Sequence, residues 1–182
     1  MVTTFNLMRQ LITNTKTYLR RMAKAAQDRL RVPLMKRGFW LPNETKINIG
    51  SGGLKIAHYF GLDVHPQADL TIDLESQDLP FPNNSMEVVT CISTINYFGR
   101  ERGQELIVET YRILKPGGIA RFGVQDLEAI AGKYVQRDAE FFFQKLPDGR
   151  ERFRGTTMAD KINSWFYGYE TTRGKHGKYF YD

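Results

Sequence analysis

The sequence predicts an α/β fold, a doubly wound parallel sheet preceded by a basic amphipathic helix. Three observations predict it. From Lys46 onward short apolar runs recur without the alternation of a half-solvated sheet, a helical segment lies between two of them, and the first run breaks into a glycine loop. The 182 residues, 41% hydrophobic and 25% charged, suffice for one domain with a real core plus an appendage. The expected boundaries are 1–45 for a basic helical appendage, 46–145 for the core, and 146–182 for an aromatic and glycine-rich tail.

In the appendage Met8, Leu11, Ile12, Leu19, Met22, Ala23, Ala26 and Leu30 recur at spacings of three and four, with Lys16, Arg20 and Lys24 on another face. The expected element is an amphipathic helix, interrupted at Pro33, that packs its apolar side on the domain and solvates its charges. Contact with an anionic membrane surface is the alternative, because basic amphipathic helices also suit lipid headgroups. The formal charge of +6 is concentrated here. Residues 1–45 hold nine basic and two acidic side chains, a net of +7, which leaves −1 for the rest. A nucleic-acid role ranks last, since no aromatic reading surface is interleaved with the basic residues.

"KINIG", "GLDV", "LTIDL", "EVVTCIS" and "GIARFGV" read as five successive strands. Between the fourth and fifth, Leu106, Ile107, Thr110, Tyr111 and Leu114 share one face of a helix over Gly103–Leu114. "KPGG" ends it, with a proline that cannot continue the helix and glycines free to turn the chain. Strand, helix, turn and strand make a βαβ unit. A second helix starts at Asp126, whose carboxylate can cap the amides of "LEAI", and a brief helical pattern covers Asp160–Phe166. The lone Cys91 excludes an intrachain disulfide and reads as a small core residue. No stretch of eighteen apolar residues and no secretory signal is present, so the expected address is the cytoplasm.

The chemistry gathers where strands end. Gly50-Ser51-Gly52-Gly53 follows the first strand with almost no side chains, so a flat or charged ligand can approach the main chain. Asp63 closes the second strand on the same rim, where a carboxylate can accept hydrogen bonds from two ribose hydroxyls. Asp73 and the Leu74 amide end the third, positioned for an adenine edge. A dinucleotide fingerprint is excluded, because its third glycine position is Lys55 and Asp63 follows too soon for a full crossover helix. A P-loop is absent as well. An adenosine ligand without a phosphate chain remains, and S-adenosyl-L-methionine fits that description.

The sequence resembles the class I S-adenosylmethionine-dependent methyltransferases of the type 11 kind over Lys46–Ala129. The resemblance rests on "INIGSGG", "GLDV", "ADLTIDL" followed by "LPFPNNSMEVVTC", and "ELIVETYRILKPGGIARFGVQDLEA". It implies a Rossmann-like parallel sheet in the order 3-2-1-4-5 and a cofactor at the rim between the first and fourth strands. It also implies that Gly50, Ser51 and Gly52 line the methionine end, Asp63 holds the ribose, Asp73 and Leu74 border the adenine, and Ser93 lies beneath the sulfonium. Two departures stand out. Many relatives carry Glu-His where this chain has Asn96-Tyr97, and no strand candidate beyond the brief "KYFYD" follows the fifth.

The expected reaction is methyl transfer to a small-molecule acceptor such as a sugar, lipid or other metabolite, without a metal. An oxygen acceptor needs a base within hydrogen-bond reach. Asp126 is the candidate, with helix capping as its alternative role. Asn96 and Tyr97 are candidates to orient an acceptor, and Trp165, Phe166, Tyr167, Tyr169 and His176 to cover it. A binding or scaffold protein that keeps the nucleoside pocket without turnover is the second functional reading. The fifth strand is expected at an open edge, so either the chain is a piece of a longer protein or a tail, partner chain or second copy covers that edge.

Overall fold

The computed structural model describes residues 2–153 and 155–167, with side chains from residue 13 to 166. Tyr169, His176 and "KYFYD" lie outside the described residues, as does the side chain of Tyr167. The chain begins with α1 (Val2–Lys36). The strands β1 (Lys46–Ile49), β2 (Phe60–Asp63), β3 (Leu70–Thr71) and β4 (Met86–Ile92) follow. A 3₁₀ turn (Ile95–Tyr97), α2 (Arg100–Ile113), β5 (Leu114–Gly123), α3 (Leu127–Val135), α4 (Ala139–Phe142) and α5 (Met158–Tyr167) complete the order. The five strands form one parallel sheet in the predicted order β3-β2-β1-β4-β5. No helix among the described residues is long and apolar enough to cross a membrane.

The chain divides into two compact units, Met1–Thr90 with Glu109–Ala120, and Cys91–Val108 with Arg121–Asp182. In the first unit, β1 and β2 pair with Ile47 opposite Phe60 and Ile49 opposite Leu62, and Leu62 pairs with Leu70 of β3. Ile47, Ile49, Leu62 and Leu70 are wholly buried, which is why these runs lack polar alternation. β3 is shorter than "LTIDL" suggested. Asp73 ends it by folding the chain back, its Oδ1 accepting Glu75 N–H (3.2 Å) and its carbonyl accepting Ser76 N–H (3.2 Å).

β5 begins directly at Leu114, so "KPGG" lies within the strand. The predicted turn survives as a kink. Pro116 followed by Gly117 at φ +79° supplies the central pair a type II turn requires, and a Cβ on Gly118 would come within 2.9 Å of the Lys115 carbonyl. No strand follows β5 among the described residues.

α1 departs from expectation twice. It runs through Pro33 to Lys36, because the proline lies in the last turn and removes a single hydrogen bond. The true stop is Gly38 at φ +73°, with Gly38 N–H donating to Met35 O (2.9 Å) and Phe39 N–H to Leu34 O (2.9 Å), a Schellman motif. The second departure concerns which face is docked. Leu19, Met22 and Leu30 are 59%, 55% and 72% exposed, whereas Asp28 and Met35 are buried. Sheet-edge chemistry explains the reversal. β3 is an edge strand, and the Asp28 carboxylate accepts its Thr71 N–H (3.0 Å). Lys24 pairs with Asp28 and donates to Thr71 Oγ1 (3.0 Å). A helix that satisfies an otherwise bare edge gains more from these polar contacts than from turning its apolar stripe inward.

In the second unit, Asp138 caps α4 by accepting Phe141 N–H (2.9 Å), and Phe142 is fully buried. Trp165 of α5 stacks on Phe141 with centroids 5.4 Å apart and touches Phe153 at 4.6 Å. The buried Lys161 is satisfied by Phe153 O (2.6 Å) and Glu151 (2.5 Å). Trp165 therefore has an anchoring role in holding α5 to its own unit.

Candidate active site

In the first unit the glycine loop rises from β1 and is fixed to β2. Gly50 N–H (2.9 Å) and Ser51 N–H (3.2 Å) both donate to Leu62 O. Gly50 and Gly52 adopt φ +73° and +58°, conformations that make glycine the natural choice. A Cβ on Gly52 would meet nothing within 4 Å, so the main chain there borders open space. Ser51 is buried, and its side chain lies against Gly61 of β2, where an added Cβ would stand 2.7 Å from Ser51 Oγ. The Ser51 main chain is engaged within the chain itself, its N–H donating to Leu62 O and its carbonyl accepting Leu54 N–H (2.9 Å), while its side chain faces inward. Sequence reasoning missed Gly61, although a glycine inside a buried strand is the usual sign of such a close approach. Asp69 was missed too; it accepts Gly61 N–H (2.7 Å) and pairs with Lys55.

Asp63 ties the rim together. Its Oδ2 accepts Gly52 N–H (2.8 Å) and its Oδ1 accepts His65 N–H (2.7 Å). A carboxylate oxygen has two acceptor sites, so each retains capacity for a ligand hydroxyl. Next to this rim, Val64, Ile72 and Asp73 line a cavity of about 430 Å³ closed on another side by Arg29, Val32 and Pro33 of α1. That volume lies within the range of small-molecule sites. The Leu74 side chain is buried in the core, so only its main chain is suited to a ligand.

Residues 32–122 match the family described as a methyltransferase domain. The chain belongs to the class I S-adenosylmethionine-dependent methyltransferases. The match covers half of this methyltransferase's sequence and includes the glycine loop, Asp63, Asp73 and all five strands almost to the end of β5. Among curated proteins, none matches the chain.

The second unit carries the remaining candidates. Ser93 follows β4 with φ +52°, rare for a residue with a Cβ, and its N–H donates to Gly123 O (2.7 Å). Such outliers cluster at functional sites. Asn96 is buried, and its Oδ1 has no hydrogen-bond partner among the described residues. A buried carbonyl in that condition has capacity to accept a hydrogen bond. Tyr97 closes the 3₁₀ turn, its N–H donating to Thr94 O (3.0 Å). Asp126 caps α3, with Oδ1 accepting Ala129 N–H (2.7 Å). Cys91 is buried, and burial pushes its thiol up to about 12, which removes it as a nucleophile.

Proposed function

We propose that this methyltransferase binds S-adenosyl-L-methionine on the β1–β2 rim and transfers its methyl group to a small-molecule acceptor. The observation that carries the reading is the Gly52 N–H to Asp63 bond (2.8 Å) beneath main chain that faces open space. That bond and those from Gly50 and Ser51 N–H to Leu62 O fix the loop from within the chain, so binding need not order it. Gly50 and Gly52 would admit the methionine end, with the Ser51 main chain beside them. Asp63 would accept from the ribose hydroxyls while keeping its two backbone bonds, and Asp73 with the Leu74 main chain would border the base. When bound, the cofactor supplies an electrophilic methyl on a sulfonium with its own leaving group.

The chain's part is then to hold, orient and exclude water. Ser93, Asn96 and Tyr97 are the residues proposed for the donor and acceptor side. The unpaired Asn96 carbonyl is suited to accept a hydrogen bond from the acceptor. Asp126 caps α3 through Oδ1 alone, which leaves Oδ2 for the proton of an oxygen acceptor, the role proposed for it.

The test has two stages. Calorimetry with S-adenosylmethionine and its demethylated product should give saturable binding of both. Incubation with small-molecule lysate fractions and labelled methyl donor should then yield labelled product. Absence of binding refutes the proposal, and binding without transfer to any fraction assigns the chain to a non-catalytic binding role.

A further inference from the structure

We propose that the outward face of α1 docks on an anionic lipid surface. At about 100° per residue, Leu19, Ala26 and Leu30 lie within a narrow sector of the helix, roughly opposite Asp28, which meets the β3 edge, and the buried Met35. All three of the former are exposed, and Met22 beside them is 55% exposed. Lys16 and Arg20 flank this stripe on one side and Arg29 on the other. Scattered exposed leucines are ordinary on a protein surface, but a continuous stripe pointing away from the docked face is not.

Charge decides the occupant. α1 carries eight basic residues and the single acid Asp28. That acid is buried and engaged by Lys24, with Arg31 at 3.7 Å, while Lys36 lies 3.8 Å from Asp78. Lys16, Arg20, Arg21 and Arg29 pair with no acidic side chain among the described residues. A second copy would bring two strongly positive helices together, which repulsion opposes. A sheet of anionic headgroups over acyl chains satisfies both features, with cations at the phosphates and the leucines at the acyl boundary. Among the described residues no helix is long and apolar enough to span a membrane, so α1 would lie in the plane of the surface.

The test is flotation of the full chain with vesicles of phosphatidylcholine alone and of phosphatidylcholine with about one-third phosphatidylglycerol. Binding is expected only to the anionic vesicles and should fall steeply between low and high salt. Each cation near the surface is worth roughly a five-fold change in partitioning. The K16E/R20E variant should therefore bind at least about twenty-fold more weakly, and L19E/L30E should lose binding comparably. These side chains face solvent, so unchanged melting curves would show that both variants fold. No binding of the parent to anionic vesicles, or equal binding by folded variants, overturns the proposal. A dimer in light scattering that L19E/L30E dissolves assigns the face to a second copy and also overturns it.

Discussion

Asp63→Ala tests the rim more sharply than any other change, because it should register in two independent quantities. The carboxylate accepts two backbone N–H groups, from Gly52 at 2.8 Å and His65 at 2.7 Å. Hydrogen bonds to a charged acceptor contribute about 1.5–3 kcal/mol each. Both amides lie near solvent, and water will replace part of each bond, so a net loss of about 2–3 kcal/mol of stability is expected. For a chain of this length that lowers the melting temperature by about 4–12 °C. The loss of ribose contacts should weaken S-adenosylmethionine further, by about 1–3 kcal/mol, or roughly 5- to 150-fold in Kd. Asp63→Asn retains an acceptor oxygen and should fall between parent and alanine variant in both. Differential scanning calorimetry reads the first quantity and isothermal titration the second. An alanine variant that melts like the parent would refute the loop-tethering bonds. One that is destabilised yet binds the cofactor with parental affinity would refute the ribose role alone.

Gly61→Ala should cost about 1–3 kcal/mol, since its Cβ would meet Ser51 Oγ at 2.7 Å and Ser51 Cβ at 2.9 Å, and adding Ser51→Gly should recover most of that in urea unfolding. Full destabilisation persisting in the double variant would contradict the steric explanation. Cys91 should resist a thiol reagent in the native protein at pH 8 and react in full after unfolding; rapid native labelling would show that β4 is not buried there. Stability should also fall in acid. The Lys133 side chain and then the Phe141 N–H hold Asp138 below the usual carboxylate range, and the Thr157 N–H and hydroxyl with the Thr156 N–H do the same for Asp160. A lowered folded pKa stabilises the protein above the unfolded value, and that contribution is lost as pH falls through the folded one. Melting temperatures should therefore drop below about pH 4, and a flat profile to pH 3 would contradict these contacts.

Much of this architecture was legible because its signals are local. Short runs buried on both faces, a glycine loop, and a proline-glycine kink after a helix each follow from backbone geometry, and together they give the parallel sheet. The placement of the glycine loop and Asp63 on one rim was legible too, since strand ends follow from strand direction alone. What escaped depended on contacts between distant segments. Nothing local pairs Asp28 with the Thr71 amide 43 positions later. That single acid among eight bases was the available clue, and its contact reversed the docked face of α1. Gly61 against Ser51 belongs to the same class, a close approach visible only once β1 and β2 are in register. Asp126 shows the opposite limit. Its pattern fitted a cap and a base equally, and the Ala129 N–H bond establishes the cap alone.

The most direct measurement on the proposed cofactor site is amide chemical-shift mapping of the ¹⁵N-labelled chain during titration with S-adenosylhomocysteine. Binding at the β1–β2 rim predicts saturable shifts concentrated at Gly50, Ser51, Gly52 and the Asp63–His65 segment, with smaller changes near Asp73 and Leu74. Saturable shifts that leave those amides unmoved and gather elsewhere would contradict it.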